Sequence, residues 1–234
     1  HMTYQPFLPE AAAGSIEPRH VVVPLRKVLR GCHHLTGRVT SIDHAAREVT
    51  AELVSGNVTT LGYDVLVVAP GSVARTLPVP GLAERGIAFK TVGEAIYLRN
   101  HVLSQLDAAA TTVDPDLRRR LLTFLVVGGG YAGIEALAEL QDMARYATRY
   151  YENIAPEDLR WVLVEAAGRI MPEVGPRMGR YTVERLIEAG IEVFLDTRVK
   201  SMEDGHVVLD DGTEFDTETI VWTAGVKPNP MLEH

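Results

Sequence analysis

The chain has one cysteine, Cys32, among 234 residues. A single thiol excludes an internal disulfide and a redox dithiol, and it suits a reducing compartment. Basic residues are scattered rather than clustered, and the net charge is −8 at pH 7. That balance argues against nucleic acid and anionic membrane surfaces as partners. Apolar runs are short. None approaches the roughly 20 residues that span a bilayer, and no signal peptide opens the chain. No G-x-S-x-G or similar nucleophile motif occurs. Cys32-His33-His34 is a cluster of metal-ligand type, but adjacent strand residues point to opposite faces and no second Cys/His group completes a shell. No metal site and no catalytic acid, base or nucleophile is expected. What is present, at 46% hydrophobic, suffices for one large or two small packed domains.

Residues 121–135 carry the main signal: an apolar run through Val127, then glycines at 128, 130 and 133, then Ile134, Leu137, Ala138 and Leu140 at helical spacing. Strand, G-x-G-x-x-G and helix together form the phosphate-binding start of a dinucleotide-binding βαβ unit. Gly128 permits the tight turn, Gly130 lets backbone approach a pyrophosphate, and Gly133 lets the helix lie against the strand. The helix then offers free N–H groups and its positive end. An acid is expected at the end of the next strand to hold the adenosine ribose. Glu165, closing Trp161-Val162-Leu163-Val164, fits, although it follows Gly128 by 37 residues rather than the roughly 20 usual for this fingerprint. The excess falls in 141–160, a polar, Tyr-rich helix extension. A carboxylate there binds both ribose hydroxyls and repels a 2′-phosphate, which favours NADH over NADPH. Arg169 nearby could instead accept that phosphate.

The downstream half of the unit occurs twice. Arg38-Val39-Thr40-Ser41-Ile42-Asp43 parallels Arg198-Val199-Lys200-Ser201-Met202-Glu203, and each opens a three-strand meander. Both meanders lead into an apolar strand ending at a small-residue turn, Tyr63 to Gly71 and Thr219 to Gly225. The offsets, 160 and 154 residues, nearly agree. The glycine loop occurs once. The expectation is a piece of a longer protein with two dinucleotide-binding domains, the first lacking its opening βαβ, with His1-Met2 as a cloning scar and Leu232-Glu233-His234 as a tag junction.

The remaining pattern predicts helices at 93–110 and 177–189, the second stopped by Gly190, and a break at 111–115. Residues 3–19 read as irregular. Arg118-Arg119-Arg120 reads as a solvated lead-in to a strand over 121–127, about 20 Å from the glycine loop. Linkers are expected near 76–80 and 225–230. The fold class is therefore α/β: a Rossmann-like NAD-binding domain with a three-stranded β-meander, inserted in an incomplete Rossmann-like domain. The boundaries are 3–77 for the partial first domain, 78–226 for the NAD(H)-binding domain, and 227–234 for the return segment and tag remnant. Uncovered edges and apolar faces of the partial domain predict a homo-oligomer.

With these residues in place, the chain resembles the type II NADH dehydrogenases, single-subunit FAD-containing NADH:quinone oxidoreductases within the pyridine nucleotide-disulfide oxidoreductase-like flavoproteins. The likeness runs from about residue 3 to 230. It rests on Gln5 to Gly14, on Phe89-Lys90-Thr91 with Asn100, on Gly128 to Glu135, and most specifically on Val221-Trp222-Thr223-Ala224-Gly225-Val226-Lys227. The resemblance implies that NADH reduces FAD and that the electrons pass to a quinone. It implies NAD contacts at Gly128, Gly129, Gly130, Tyr131, Ala132, Gly133, Glu135, Glu165, Arg169, Ala224 and Gly225. It implies FAD contacts at Gln5, Pro6, Val39, Ala69 and Gly71. Pro70 departs from the family's usual threonine and offers the flavin no N–H. The family's membrane contacts lie in C-terminal helices outside this chain, so the resemblance implies a cytoplasmic chain whose parent sits peripherally on the cytoplasmic face of the bacterial membrane. Two alternatives stay open: a related reductase serving a ferredoxin or a peroxide, and an NADH-binding module that turns nothing over.

Overall fold

The computed structural model describes residues 1–74 and 77–230. Thr76, within the expected first linker, and Leu232-Glu233-His234, the expected tag junction, lie outside the described residues. The elements that matter here are, in chain order, α1 (Leu8–Ala13), β1 (Gly37–Asp43), β2 (Glu48–Leu53), β3 (Val58–Gly62), β4 (Gly86–Ala88), α2 (Val92–Thr111), α3 (Pro115–Leu121), β5 (Thr123–Val127), α4 (Tyr131–Ala147), β6 (Arg160–Val164), α5 (Pro176–Glu188), β7 (Ile191–Phe194), β8 (Val199–Ser201), β9 (His206–Leu209), β10 (Glu214–Asp216) and β11 (Thr219–Trp222). Contacts divide the chain into two compact units, one built mainly from Pro24–Ser72 and the other from Thr3–Val23 with Val73–Lys227.

In the larger unit a five-stranded sheet runs in the order β7-β6-β5-β11-β4, with every pair parallel. Its inner strands read as unbroken apolar runs because both faces are covered. Phe124, Val126, Trp161 and Leu163 pack with Leu98, Val102 and Leu106 of α2 and Leu137, Leu140 and Ala144 of α4. The alternate residues Leu125, Val127, Val162, Val164, Ile220 and Trp222 pack with Val199, Met202, Val207, Leu209 and Phe215 of the β8-β9-β10 meander. Phe124 and Trp161, paired across β5 and β6, stack with ring centroids 4.4 Å apart.

Local chemistry sets the helix ends. Thr91 and Glu94 form a capping box that starts α2. The Asp114 carboxylate accepts from the N–H groups of Asp116 and Leu117, and Pro115 begins α3. This corrects the expectation for Arg118-Arg119-Arg120: the three lie on α3, and the strand begins only at Thr123. Arg120 pairs with Glu218 and donates to the Asp204 carbonyl. Residues 3–19 are also more ordered than expected. Leu8, Ala11 and Ala12 of α1 are buried against α2 and α4, and Gly14, at φ +77°, ends the helix.

In the smaller unit β1, β2 and β3 form an antiparallel meander, with Val39 opposite Ala51 and Thr50 opposite Thr60. The expected strand from Tyr63 to Gly71 does not form: 63–71 is bend and extended chain, with Val65 and Val67 each 82% exposed. Its counterpart β11 lies between β5 and β4, and among the described residues no strand is offered to 63–71. A β-prone run without a neighbour has nowhere to place its backbone hydrogen bonds.

Candidate functional site

The turn from β5 into α4 stands at the carboxyl ends of the parallel strands, where an open α/β sheet binds ligands. Gly128, at φ +114°, makes it; a Cβ there would sit 2.6 Å from Thr223 Oγ1. Gly133 is tighter still, because its Cβ would lie 2.0 Å from the Gly128 carbonyl oxygen. These two glycines therefore serve helix-on-strand packing. Gly130 differs: nothing lies within 4 Å of the position its Cβ would take. It leads into the first turn of α4, where no side chain caps the free N–H groups. Bare backbone thus faces open space at a positive helix end, which is the requirement for a phosphate.

The turn is gripped from several sides. The Gly129 N–H donates to Glu165 Oε2 at 2.5 Å, and the Gly129 carbonyl accepts from the Met171 N–H at 2.7 Å. The second Glu165 oxygen accepts from the Ala167 N–H at 2.7 Å. From β11 the Thr223 hydroxyl reaches the carbonyls of Val127 and Gly128 at 3.0 and 3.1 Å. Glu165 thus lies directly beside the glycine turn, and the 37-residue separation is taken up by the 17-residue α4 and the 3-10 turns Thr148–Tyr150 and Pro156–Asp158. Sequence reasoning missed the Met171 and Thr223 contacts; Thr223 had entered only through its neighbours Ala224 and Gly225.

The other residues named for NAD fall around this turn. Tyr131 and Ala132 are exposed on the first turn of α4. Ala224 is half-buried and Gly225, at φ +88°, exposed just beyond β11. The Arg169 guanidinium donates to the Pro172 carbonyl at 2.7 Å. Desolvation, and next the neighbouring Glu10 carboxylate, pushes the Glu135 carboxyl up from its ordinary value. One Glu10 oxygen is buried without a hydrogen-bond partner among the described residues.

The residues named for FAD do not gather in one unit. Gln5 and Pro6 are exposed on the 3-10 turn Gln5–Phe7 of the larger unit. Val39 on β1, Ala69 and Gly71 belong to the smaller unit and are exposed. Gly71, at φ +73°, accepts from the Asn229 N–H, and the Asn229 side chain donates to the Pro70 carbonyl.

Turn, acid and helix end at the carboxyl edge of a parallel sheet define a dinucleotide-binding α/β protein of Rossmann type. Its sequence matches the family model described as pyridine nucleotide-disulphide oxidoreductase over residues 1–234. The chain belongs to that family. It is 33% identical over 239 residues to the type II NADH:quinone oxidoreductase Ndh of Mycobacterium tuberculosis, covering 99% of this chain and 51% of that protein. It is 30% identical over 250 residues to the external alternative NADH-ubiquinone oxidoreductase of Yarrowia lipolytica mitochondria, covering 99% of this chain and 43% of that protein. The fold matches NDH2 from Plasmodium falciparum, solved in complex with NADH, with TM-score 0.88 at 19% identity over 97% of this chain and 49% of that one. The chain thus spans about half the length of the curated relatives it matches.

Proposed function

We propose that this chain is the NADH-binding portion of a flavoprotein that oxidises NADH and passes the electrons to a quinone, together with part of its flavin domain. The observation that carries the reading is the bare backbone at Gly130, open in front of α4, with the Glu165 carboxylate fixed beside it. The relatives' names, covering NADH and quinone or ubiquinone, agree with it.

Each residue then has a task. The N–H groups at the start of α4 receive the pyrophosphate. Gly130 keeps that approach clear, while Gly128 and Gly133 hold α4 against β5. Glu165 accepts from the adenosine ribose hydroxyls and, as an anion, disfavours a 2′-phosphate. Glu135, Ala224 and Gly225 border the nicotinamide end. A bound flavin would take the hydride and hand two electrons to the quinone, which takes up two protons as it becomes quinol. The described residues supply one glycine cradle, assigned here to NADH. Gln5, Pro6, Val39, Ala69 and Gly71 offer the flavin backbone and apolar surface but no phosphate cradle. The chemistry derived for this chain is therefore the reductant's half. Among the described residues no helix is long and apolar enough to cross a membrane. By its resemblance to membrane-associated relatives, the parent is assigned a peripheral place on the cytoplasmic face.

The test is a melting-temperature comparison with NADH, NADPH and FAD added separately. A ligand at about 100 times its dissociation constant stabilises by about 2.7 kcal/mol. A clear rise is expected with NADH, a smaller one with NADPH and little with FAD. Equal rises for the two nicotinamides would remove the ribose role of Glu165, and no rise with NADH would remove the reading itself.

A further inference from the structure

We infer that Thr223 is a positioning residue for the dinucleotide. Its hydroxyl orients the Gly128–Gly129 peptide, that peptide sets the Glu165 carboxylate, and the choice between NADH and NADPH therefore depends on a threonine assigned no contact with the ligand. The inference rests on the NADH reading above and deepens it, since neither the glycine motif nor the ribose acid contains Thr223.

Thr223 directly follows β11, the strand beside β5. Its N–H donates to the Val127 carbonyl at 2.9 Å, which ties its backbone to the end of β5. Its hydroxyl lies within reach of the Val127 and Gly128 carbonyls. A hydroxyl has one proton to give. The Val127 carbonyl is already served by the Thr223 N–H, so the Gly128 carbonyl is the one that depends on the hydroxyl. Among the described residues no other hydrogen-bond donor reaches it.

Two glycines keep room for that hydroxyl. A Cβ on Gly128 or on Gly133 would stand 2.6 Å from Thr223 Oγ1 in either case. The oxygen thus fills a slot between the turn and the first turn of α4 that a side chain at either position would close. The two glycines that pack α4 against β5 also make this bond possible.

The peptide between Gly128 and Gly129 is trans, so its carbonyl and its N–H point in opposite directions. Thr223 holds the carbonyl edge, and the Gly129 N–H at the other edge donates to Glu165 Oε2. One rigid plane therefore links Thr223 to Glu165, and turning one edge turns the other. The remaining Glu165 oxygen accepts from the Ala167 N–H, two residues along its own segment, so that bond does not tie the carboxylate to the turn. Without the hydroxyl the plane is free to swing, and the Gly129 N–H leaves Oε2. A carboxylate so released loses part of its hold on the ribose hydroxyls and part of its repulsion of a 2′-phosphate.

The experiment measures calorimetric dissociation constants of the whole chain for NADH and NADPH, in the unaltered protein and in Thr223→Ser, Thr223→Val and Thr223→Ala. Serine keeps the hydroxyl, and both constants should stay within about twofold of their original values. Valine removes the donor at nearly equal volume, and alanine removes it without adding bulk; where the valine methyl crowds the slot enough to prevent folding, alanine decides. Loss of the hydroxyl should weaken NADH by roughly tenfold, the worth of one hydrogen bond, and should lower the preference for NADH over NADPH. A turn that had merely loosened would weaken both dinucleotides alike and leave their ratio unchanged. In a Glu165→Gln background, Thr223→Ala should leave the ratio where Glu165→Gln alone puts it. An unchanged ratio in Thr223→Ala, or a serine variant that behaves like alanine, overturns the inference and leaves the NADH reading standing. Equal affinities in the unaltered protein remove the ribose role of Glu165 and this inference with it. Failure of the unaltered protein to bind NADH overturns the inference and the reading together.

Discussion

The two meanders share a sequence pattern and differ in what they bury. In β8-β9-β10, Val199, Met202, Val207 and Leu209 are all at most 7% exposed, sealed against the parallel sheet. In β1-β2-β3, Val39, Ile42, Val58 and Leu61 are between 37% and 68% exposed. The segments after them diverge further: β11 is buried from end to end, while Val65 and Val67 are each 82% exposed. Alternation fixes which residues share a face, but a face becomes core only when a second layer covers it. The second copy has that layer because β5, α4 and β6 precede it. Hydrogen bonding in the first meander survives unburied, since antiparallel neighbours satisfy each other directly. A run such as 63–71, which the sequence reading makes a strand, finds no such neighbour among the described residues.

The largest test strikes the foundation of the covered copy. In Gly133→Ala the new methyl meets the Gly128 carbonyl oxygen at 2.0 Å, which forces α4 off β5. A loss of about 3 kcal/mol is expected by denaturant unfolding, with the NADH shift gone. Gly130→Ala is the control: the site is open, so stability should hold within about 0.5 kcal/mol while NADH binding is lost. A Gly130→Ala protein that binds NADH normally would show that the pyrophosphate goes elsewhere.

The second test sharpens the contrast between copies. Leu209→Ala, at a site with 0% exposure, should cost about 2–5 kcal/mol through lost burial and a cavity. Leu61→Ala, at 43% exposure, should cost under about 1 kcal/mol. Equal losses would mean that the first meander is as well covered as the second.

The smallest effect is a pH dependence confined to the covered copy. His101 on α2 lies 3.0 Å from the Thr219 hydroxyl of β11. Burial holds its pKa below the ordinary 6.5, against the opposing influence of Glu218. The folded state therefore prefers the neutral ring. Its contribution to stability is present above pH 6.5 and is lost as pH falls from there toward the depressed folded value. His101→Gln should flatten that slope in a series of melting curves. His206 on β9 shifts the other way, raised chiefly by its bond to Asp216, but it stands in solvent and screening keeps its share small.

Much of this was legible in the sequence because the signals were local. Val127 through Gly133 reads as strand, turn and helix wherever it occurs, and Asp211-Gly212 marks a hairpin by its own backbone preference, with Gly212 at φ +92°. The sequence misled where the outcome depended on a neighbour. Residues 63–71 have the apolar residues a strand needs and, among the described residues, no strand beside them. The arginines at 118–120 were read by charge, although Asp114-Pro115, a cap followed by a first-turn proline, announces the helix that carries them. The binding site divides the same way. The glycines show in the spacing and Glu165 at the end of its strand, but Met171 and Thr223 reach the turn from later segments, and no pattern in one stretch of chain reveals that.

The hold on Gly129 bears on the manner of binding. Its N–H and carbonyl are both engaged inside the protein, so an arriving nucleotide finds a surface already set and need not order the loop itself. The entropy of fixing that segment is spent during folding, once, rather than at each encounter. Recognition on such a seat comes from shape prepared in advance, and release leaves nothing to rebuild.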